Sequence, residues 1–118
     1  MKENKRKTGS FYEKSAADFL VRRGCQLLAM NFYCRFGEID LIVKDGCYVV
    51  FCEVKYRKNS DCGFPSEAVT LKKQKTLSKC AMYYLTVYGF SYMDIRFDVI
   101  SILNEEFRWI RGAFDFIG

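Results

Sequence analysis

Asp40, Glu53 and Lys55 interrupt a stretch that otherwise reads as buried sheet, FGEIDLIVKDGCYVVFCEVKYRK at residues 36–58. Two carboxylates with an amine beside them can hold a hard divalent cation and set an ammonium next to its bound water, a combination suited to hydrolysis. The competing reading is a half-exposed sheet laced by salt bridges, because structural ion pairs imitate such sites. The chain has no histidine. That removes the Ser-His-Asp triad, His-ligated zinc hydrolysis and nucleases with a histidine base, and leaves carboxylates, amines, hydroxyls and thiols.

A β-hairpin must position these groups. Asp45-Gly46 is a two-residue turn signal. Strands over Ile39–Val43 and Tyr48–Tyr56 then pair antiparallel, with Ile42 opposite Val49, Asp40 opposite Phe51 and Glu38 opposite Glu53. Alternation sends Glu38, Asp40, Glu53 and Lys55 to one face with Ile42, Val49 and Phe51, and sends Ile39, Leu41, Val43, Val50, Cys52 and Val54 to the other. Asp40 and Glu53 become diagonal neighbours about 7–8 Å apart. A register shift of two residues would set them directly opposite with the same consequence, whereas a one-residue bulge would part them.

Like charges brought together in a partly desolvated place repel, and each desolvated ion costs several kcal/mol unless compensated. A divalent cation is the natural compensation. Carboxylate oxygens without histidine or paired thiols suit Mg²⁺ or Mn²⁺. Lys55, on the same face, is placed to orient or deprotonate the attacking water or to stabilise charge on a phosphate.

Around the hairpin, Ser10 to Glu13 has the form of a capping box, and Ala16, Ala17 and Leu20 follow at helical spacing, which predicts a helix over Phe11–Arg23 stopped by Gly24. Glu13 either completes that box or points inward with the apolar stripe. Cys25–Asn31 reads as a short strand, Asn59–Pro65 as a loop and Ser66–Tyr88 as a second helix stopped by Gly89. A strand over Asp94–Leu103, a turn at Asn104-Glu105-Glu106 and an edge strand over Phe107–Ile110 complete the expected elements. Trp109 and Phe114 look exposed near the C-terminus and motivate a lesser reading as an interaction protein.

At 118 residues, half of them apolar, the sequence is expected to form a single domain over 1–118. No apolar leader or bilayer-length run is seen, which points to the cytoplasm, and the six cysteines then read as reduced thiols. Residues 1–79 hold 16 Lys and Arg against 9 Asp and Glu, while 80–118 hold 3 against 5. A basic surface so placed favours a polyanionic partner such as nucleic acid.

GEIDLI at 37–42 followed by VFCEVKYR at 50–57 resembles the D…E-x-K core of the PD-(D/E)XK nuclease superfamily, and closely the bacterial YraN family of predicted endonucleases related to Holliday-junction resolvases. Further points of likeness are Gly9, Glu13, Ala16-Ala17, Asn31, GFPSEAV at 63–69, KKQ at 72–74, RFDVI at 96–100 and Ala113-Phe114. The resemblance implies an α/β fold, a restriction-endonuclease-like mixed central sheet flanked by helices. It implies a metal site built from Asp40 and Glu53, with Lys55 as the catalytic lysine, Glu13 approaching from the first helix and Gln74 joining from the second.

Together these readings give a Mg²⁺- or Mn²⁺-dependent DNA endonuclease acting on branched or damaged DNA. Arg35, Arg57, Lys58, Lys72 and Lys73, with Gln74, would line the nucleic-acid path, and a homodimer would suit a junction that presents two strands. The alternative is a non-catalytic nucleic-acid-binding module that keeps the nuclease fold and acts through a partner.

Overall fold

Short turns join three of the neighbouring strand pairs and a helical crossover joins the fourth, so the strands lie in the sheet in chain order. The computed structural model describes the backbone of residues 2–57 and 68–118 and the side chains of 11–57 and 68–118. Its elements are α1 (Lys2–Arg22), β1 (Gln26–Cys34), β2 (Gly37–Asp45), β3 (Tyr48–Arg57), α2 (Leu71–Tyr88), β4 (Asp94–Leu103) and β5 (Glu106–Phe114). The sheet order is β1-β2-β3-β4-β5. The pairings β1–β2, β2–β3 and β4–β5 are antiparallel, whereas β3–β4 is parallel, because α2 carries the chain back across the sheet between those two strands. The result is the expected α/β architecture, a mixed sheet flanked by helices.

Each helix buries one face of the sheet. Ala16, Ala17 and Leu20 of α1 pack on Leu41, Val43, Val50, Cys52, Ile100 and Ile102. Leu77, Cys80, Ala81, Tyr84 and Leu85 of α2 pack on Ile39, Ile42, Val49, Phe51 and Phe97. Covered on both sides, β4 is buried without interruption from Phe97 to Leu103, as parallel strands in such layers are. None of the described helices is long and apolar enough to cross a membrane.

Several boundaries differ from expectation. The first helix begins at Lys2, so Ser10 lies inside it and not at its N-terminus; the Lys- and Arg-rich residues before it are good helix formers. The second helix begins at Leu71, because Thr70 in extended geometry accepts the Lys73 N–H and acts as N-cap. Ala68 therefore precedes the helix, and Gly89, at φ 75°, ends it as expected. The loop expected over Asn59–Pro65 lies outside the described residues. The last strand extends to Phe114, which stacks on Phe97 at 4.8 Å, and Trp109 is half-buried; neither is a free surface aromatic.

The hairpin register is shifted by two residues. Gly46 and Cys47 form the turn, with Gly46 at φ 61°, and Asp45 pairs with Tyr48. Tertiary charge favours this choice, since the Asp45 carboxylate accepts from Arg96 at 2.8 Å. Arg96 also donates twice to Asp98, which is fully buried and further accepts from Trp109 Nε1 at 2.8 Å and the Gly112 N–H at 2.9 Å. Hydrogen bonds that Arg96 donates to Asp98 and Asp45 outweigh the cost of burial and raise its pKa. RFDVI thus has a structural reason: Arg96 and Asp98 tie the hairpin end to the β4–β5 bulge.

Replacing Asp98 with Ala should leave Arg96 with Asp45 alone and the Trp109 and Gly112 donors without their acceptor, and lower stability by about 3–5 kcal/mol. Urea denaturation would measure it; a loss below about 1 kcal/mol would mean that the network is not a buried, mutually dependent unit.

Candidate metal centre

The site forms where the pleat of two strands changes sides. Met30 and Leu41 are register partners on the α1 face, whereas Phe32 and Ile39, the next partners along the same strands, belong to the α2 face. Residues two apart on a regular strand share a face, so the faces exchange at Asn31 and Asp40 between them. Asn31 adopts φ 51°, a conformation that asparagine tolerates better than most residues. Ile39 consequently packs under α2 rather than beside Leu41, correcting the simple alternation.

At the same point β2 leaves β3. Their ladder ends at Leu41 and Cys52, and the following positions, Asp40 and Glu53, lie just beyond it. The Asp40 carboxylate accepts the Val54 N–H at 2.9 Å, replacing a ladder bond and anchoring the side chain in the gap between strands. From α1, Glu13 reaches this gap, and Glu38 joins from β2. Single carboxylate oxygens of Glu13, Glu38 and Asp40 lie within 4.8 Å of one another, each residue half-buried. Glu53, with a side chain 16% exposed, approaches Asp40 from β3 and pairs with Lys73 of α2 at 3.7 Å.

The electrostatics follow from this crowding. Burial raises the Glu13 pKa to about 7, helped by the Asp40 charge and opposed by a hydrogen bond with Asn31. Burial likewise raises Glu53 to about 7, with Asp40 adding to the effect and Lys73 opposing it. A cluster of carboxylate oxygens in which Glu13 and Glu53 resist ionisation could hold a metal ion.

The other expected residues divide. Lys55 Nζ donates to the Ala68 carbonyl. Gln74 donates to the Val69 carbonyl at 2.8 Å, which ties down the helix entry. Arg35 lies over the Phe36 ring at 4.8 Å, and Arg35, Arg57 and Lys72 are exposed. Lys58 lies outside the described residues. Sequence reasoning assumed an unbroken pleat, which set Glu38 on the face of Asp40 and Glu53, but left it out of the ligand set that the structure now brings within reach. Asn31, an asparagine just before the hairpin, was the available signal for the break.

Gly37 permits the close approach of α2 here. A Cβ at this residue would lie 2.8 Å from Thr76 Cγ2, and its φ of 152° disfavours a side chain as well.

Residues 12–102 match the model of the uncharacterised protein family UPF0102. The span includes Glu13, Asp40, Glu53 and Lys55. The chain belongs to this family. A UPF0102 protein of Lachnoclostridium phytofermentans is 46% identical over 98% of both chains. One of Caldicellulosiruptor saccharolyticus is 40% identical over 94% of this chain and 99% of its own, and one of Pseudoalteromonas translucida 36% over 95% and 94%. This agrees with the YraN resemblance carried by GEIDLI and RFDVI. The UPF0102 name assigns no activity, so the chemistry must be argued from the carboxylates.

Their raised pKa values set a pH dependence. Unfolded, Glu13 and Glu53 ionise near 4.5, whereas folded they hold protons to about 7. Between those values the folded state binds more protons, so its stability falls as pH rises through the window and levels above it. Metal-free protein should therefore lose thermal stability between pH 5 and 7.5 through these groups, as ~4.5 and ~7 bracket the window. Glu53→Gln should flatten the loss, and added Mn²⁺ should reverse it at the upper pH. Identical pH profiles for wild type and Glu53→Gln would refute the assignment.

Proposed function

We propose that this protein is a Mg²⁺- or Mn²⁺-dependent endonuclease that hydrolyses phosphodiester bonds in DNA, with branched or damaged DNA as its substrate. The observation that carries the reading is the convergence of Glu13, Asp40 and Glu53, from a helix and two strands, at the opening between β2 and β3. Asp40, Glu53 and Glu13 hold the ion, with Glu38 close enough to share it. A bound divalent cation supplies Lewis acidity and an acidified water.

The chain's own groups do the rest. Asp40 is fixed by Val54, so its carboxylate is oriented before any ligand arrives. Lys73 pairs with Glu53 and offsets its charge, and would turn toward phosphate were a divalent cation held by these carboxylates. Lys55 projects from the same strand face as Glu53 and orients water or stabilises charge on the phosphate once it exchanges the Ala68 carbonyl for substrate. Arg35, Arg57, Lys58 and Lys72 contact phosphates along the duplex, which gives affinity with little sequence information. A homodimer working in the cytoplasm would serve the two strands of a junction.

A specific observation favours the rival reading of a non-catalytic nucleic-acid module: Lys73 pairs with Glu53 and Lys55 donates to the Ala68 carbonyl, so both lysines are engaged within the chain.

Purified protein with Mn²⁺ should cut labelled four-way-junction, flapped, duplex or single-stranded DNA, and Asp40→Asn and Lys55→Ala should each slow cutting by about 10²-fold or more. Four phosphate contacts should give a log–log salt slope of about −3 to −4 for binding. DNA binding without cleavage of any substrate would transfer the reading to the binding module, and a flat salt response would remove the proposed phosphate contacts.

A further inference from the structure

Cys34 ends β1 and is the register partner of Gly37 on β2. Cys80, on the face of α2 that covers this corner, places its Sγ 3.6 Å from where a Gly37 Cβ would stand. The Cys80 thiol therefore stands over the strand-pair corner that Cys34 and Gly37 share. Both belong to the same apolar cluster, with Cys80 fully buried and Cys34 partly exposed to its edge. Cys80 is pushed up to about 12, mainly by burial and next by hydrogen bonding with Cys34. The carboxylate site uses neither sulfur.

We propose that Cys34 and Cys80 are a redox modification site, a dithiol that a peroxide converts to an intramolecular disulfide between β1 and α2. The Cys34 sulfur, which reaches the surface, attacks one peroxide oxygen. A sulfur–oxygen bond forms, the oxygen–oxygen bond breaks, and the leaving oxygen departs with the thiol proton as water when the oxidant is hydrogen peroxide. Cys80 then attacks the Cys34 sulfenic sulfur. The disulfide forms, the sulfur–oxygen bond breaks, and that oxygen leaves as a second water with the Cys80 proton. Two electrons have passed from the thiols to the peroxide. Cys80 is a weak nucleophile while protonated, but its partner is a fixed neighbour, and proximity offsets the low thiolate fraction.

The bond would close a loop containing Glu38, Asp40, Glu53 and Lys55 and tie the strand turn before Glu38 to α2. Such a cross-link restricts the unfolded chain, so the oxidised protein should melt at a higher temperature.

The test oxidises the folded full-length chain with hydrogen peroxide, alkylates the remaining thiols and maps peptides without reduction. The expected product is a Cys34–Cys80 linked peptide lighter by two hydrogens, reversed by dithiothreitol, with a melting temperature raised by several degrees. Cys34→Ser and Cys80→Ser should lose both effects. Cys47→Ser, which removes the exposed thiol at the β2–β3 turn, should keep them. Should Cys80→Ser fail to fold, Cys34→Ser at the partly exposed position carries the comparison. The proposal is overturned if Cys34 advances to sulfinic acid while Cys80 stays alkylatable, if only other cysteines link, or if urea-unfolded chain gives the same pairing as folded chain.

Discussion

The parting of β2 from β3 beyond Leu41 and Cys52 is the constraint on which the site depends. A strand that loses its neighbour leaves backbone donors to satisfy, and a buried donor without a partner is costly. Asp40 supplies the acceptor for Val54. That bond holds a carboxylate in the gap, where Glu13 and Glu53 approach it from opposite faces of the sheet. The raised pKa values of those two glutamates are the electrostatic consequence of the same opening.

The opening survives because its surroundings are rigid. β3 and β4 pair in parallel from Tyr48 with Asp94 to Arg57 with Leu103, and helices cover both faces. At the hairpin end, the buried Asp98 collects bonds from Arg96, Trp109 and Gly112 and fixes how β4 bends toward β5. Toward the site end, Ser101 is the register partner of Lys55 and is fully buried, its hydroxyl unpaired among the described residues. The sheet therefore carries polar groups at both ends, and those at the hairpin end are satisfied internally while the carboxylates remain available for a ligand.

Much of this was legible beforehand. Period-two hydrophobicity broken by Asp40, Glu53 and Lys55 marked both the hairpin and the acidic face, and Asp94–Leu103 emerged with the expected bounds because a long apolar run between turn residues has few alternatives. The start of each helix was less accessible. Ser10 lies within α1 and Thr70 begins α2, since a capping pattern records only local competence while neighbouring residues and tertiary contacts decide whether it is used. The turn likewise moved by one residue, and the register by two, when Asp45 gained Arg96, a partner distant in sequence.

The sequence by itself determined which groups are present: carboxylates and lysines without a histidine, on strands apolar enough to bury them, with a basic balance toward the first two thirds of the chain. Composition and short-range periodicity settle these because they depend on residue type and on neighbours a few positions away. Only the tertiary structure decided that Glu13 points inward, that Glu38 enters the cluster and that Ile39 crosses to the α2 face. The crossing of Ile39 rests on the switch of faces at Asn31 and Asp40, where one strand's backbone conformation is matched by its neighbour. Such matching is a long-range agreement between segments, of which Asn31 is only the local sign.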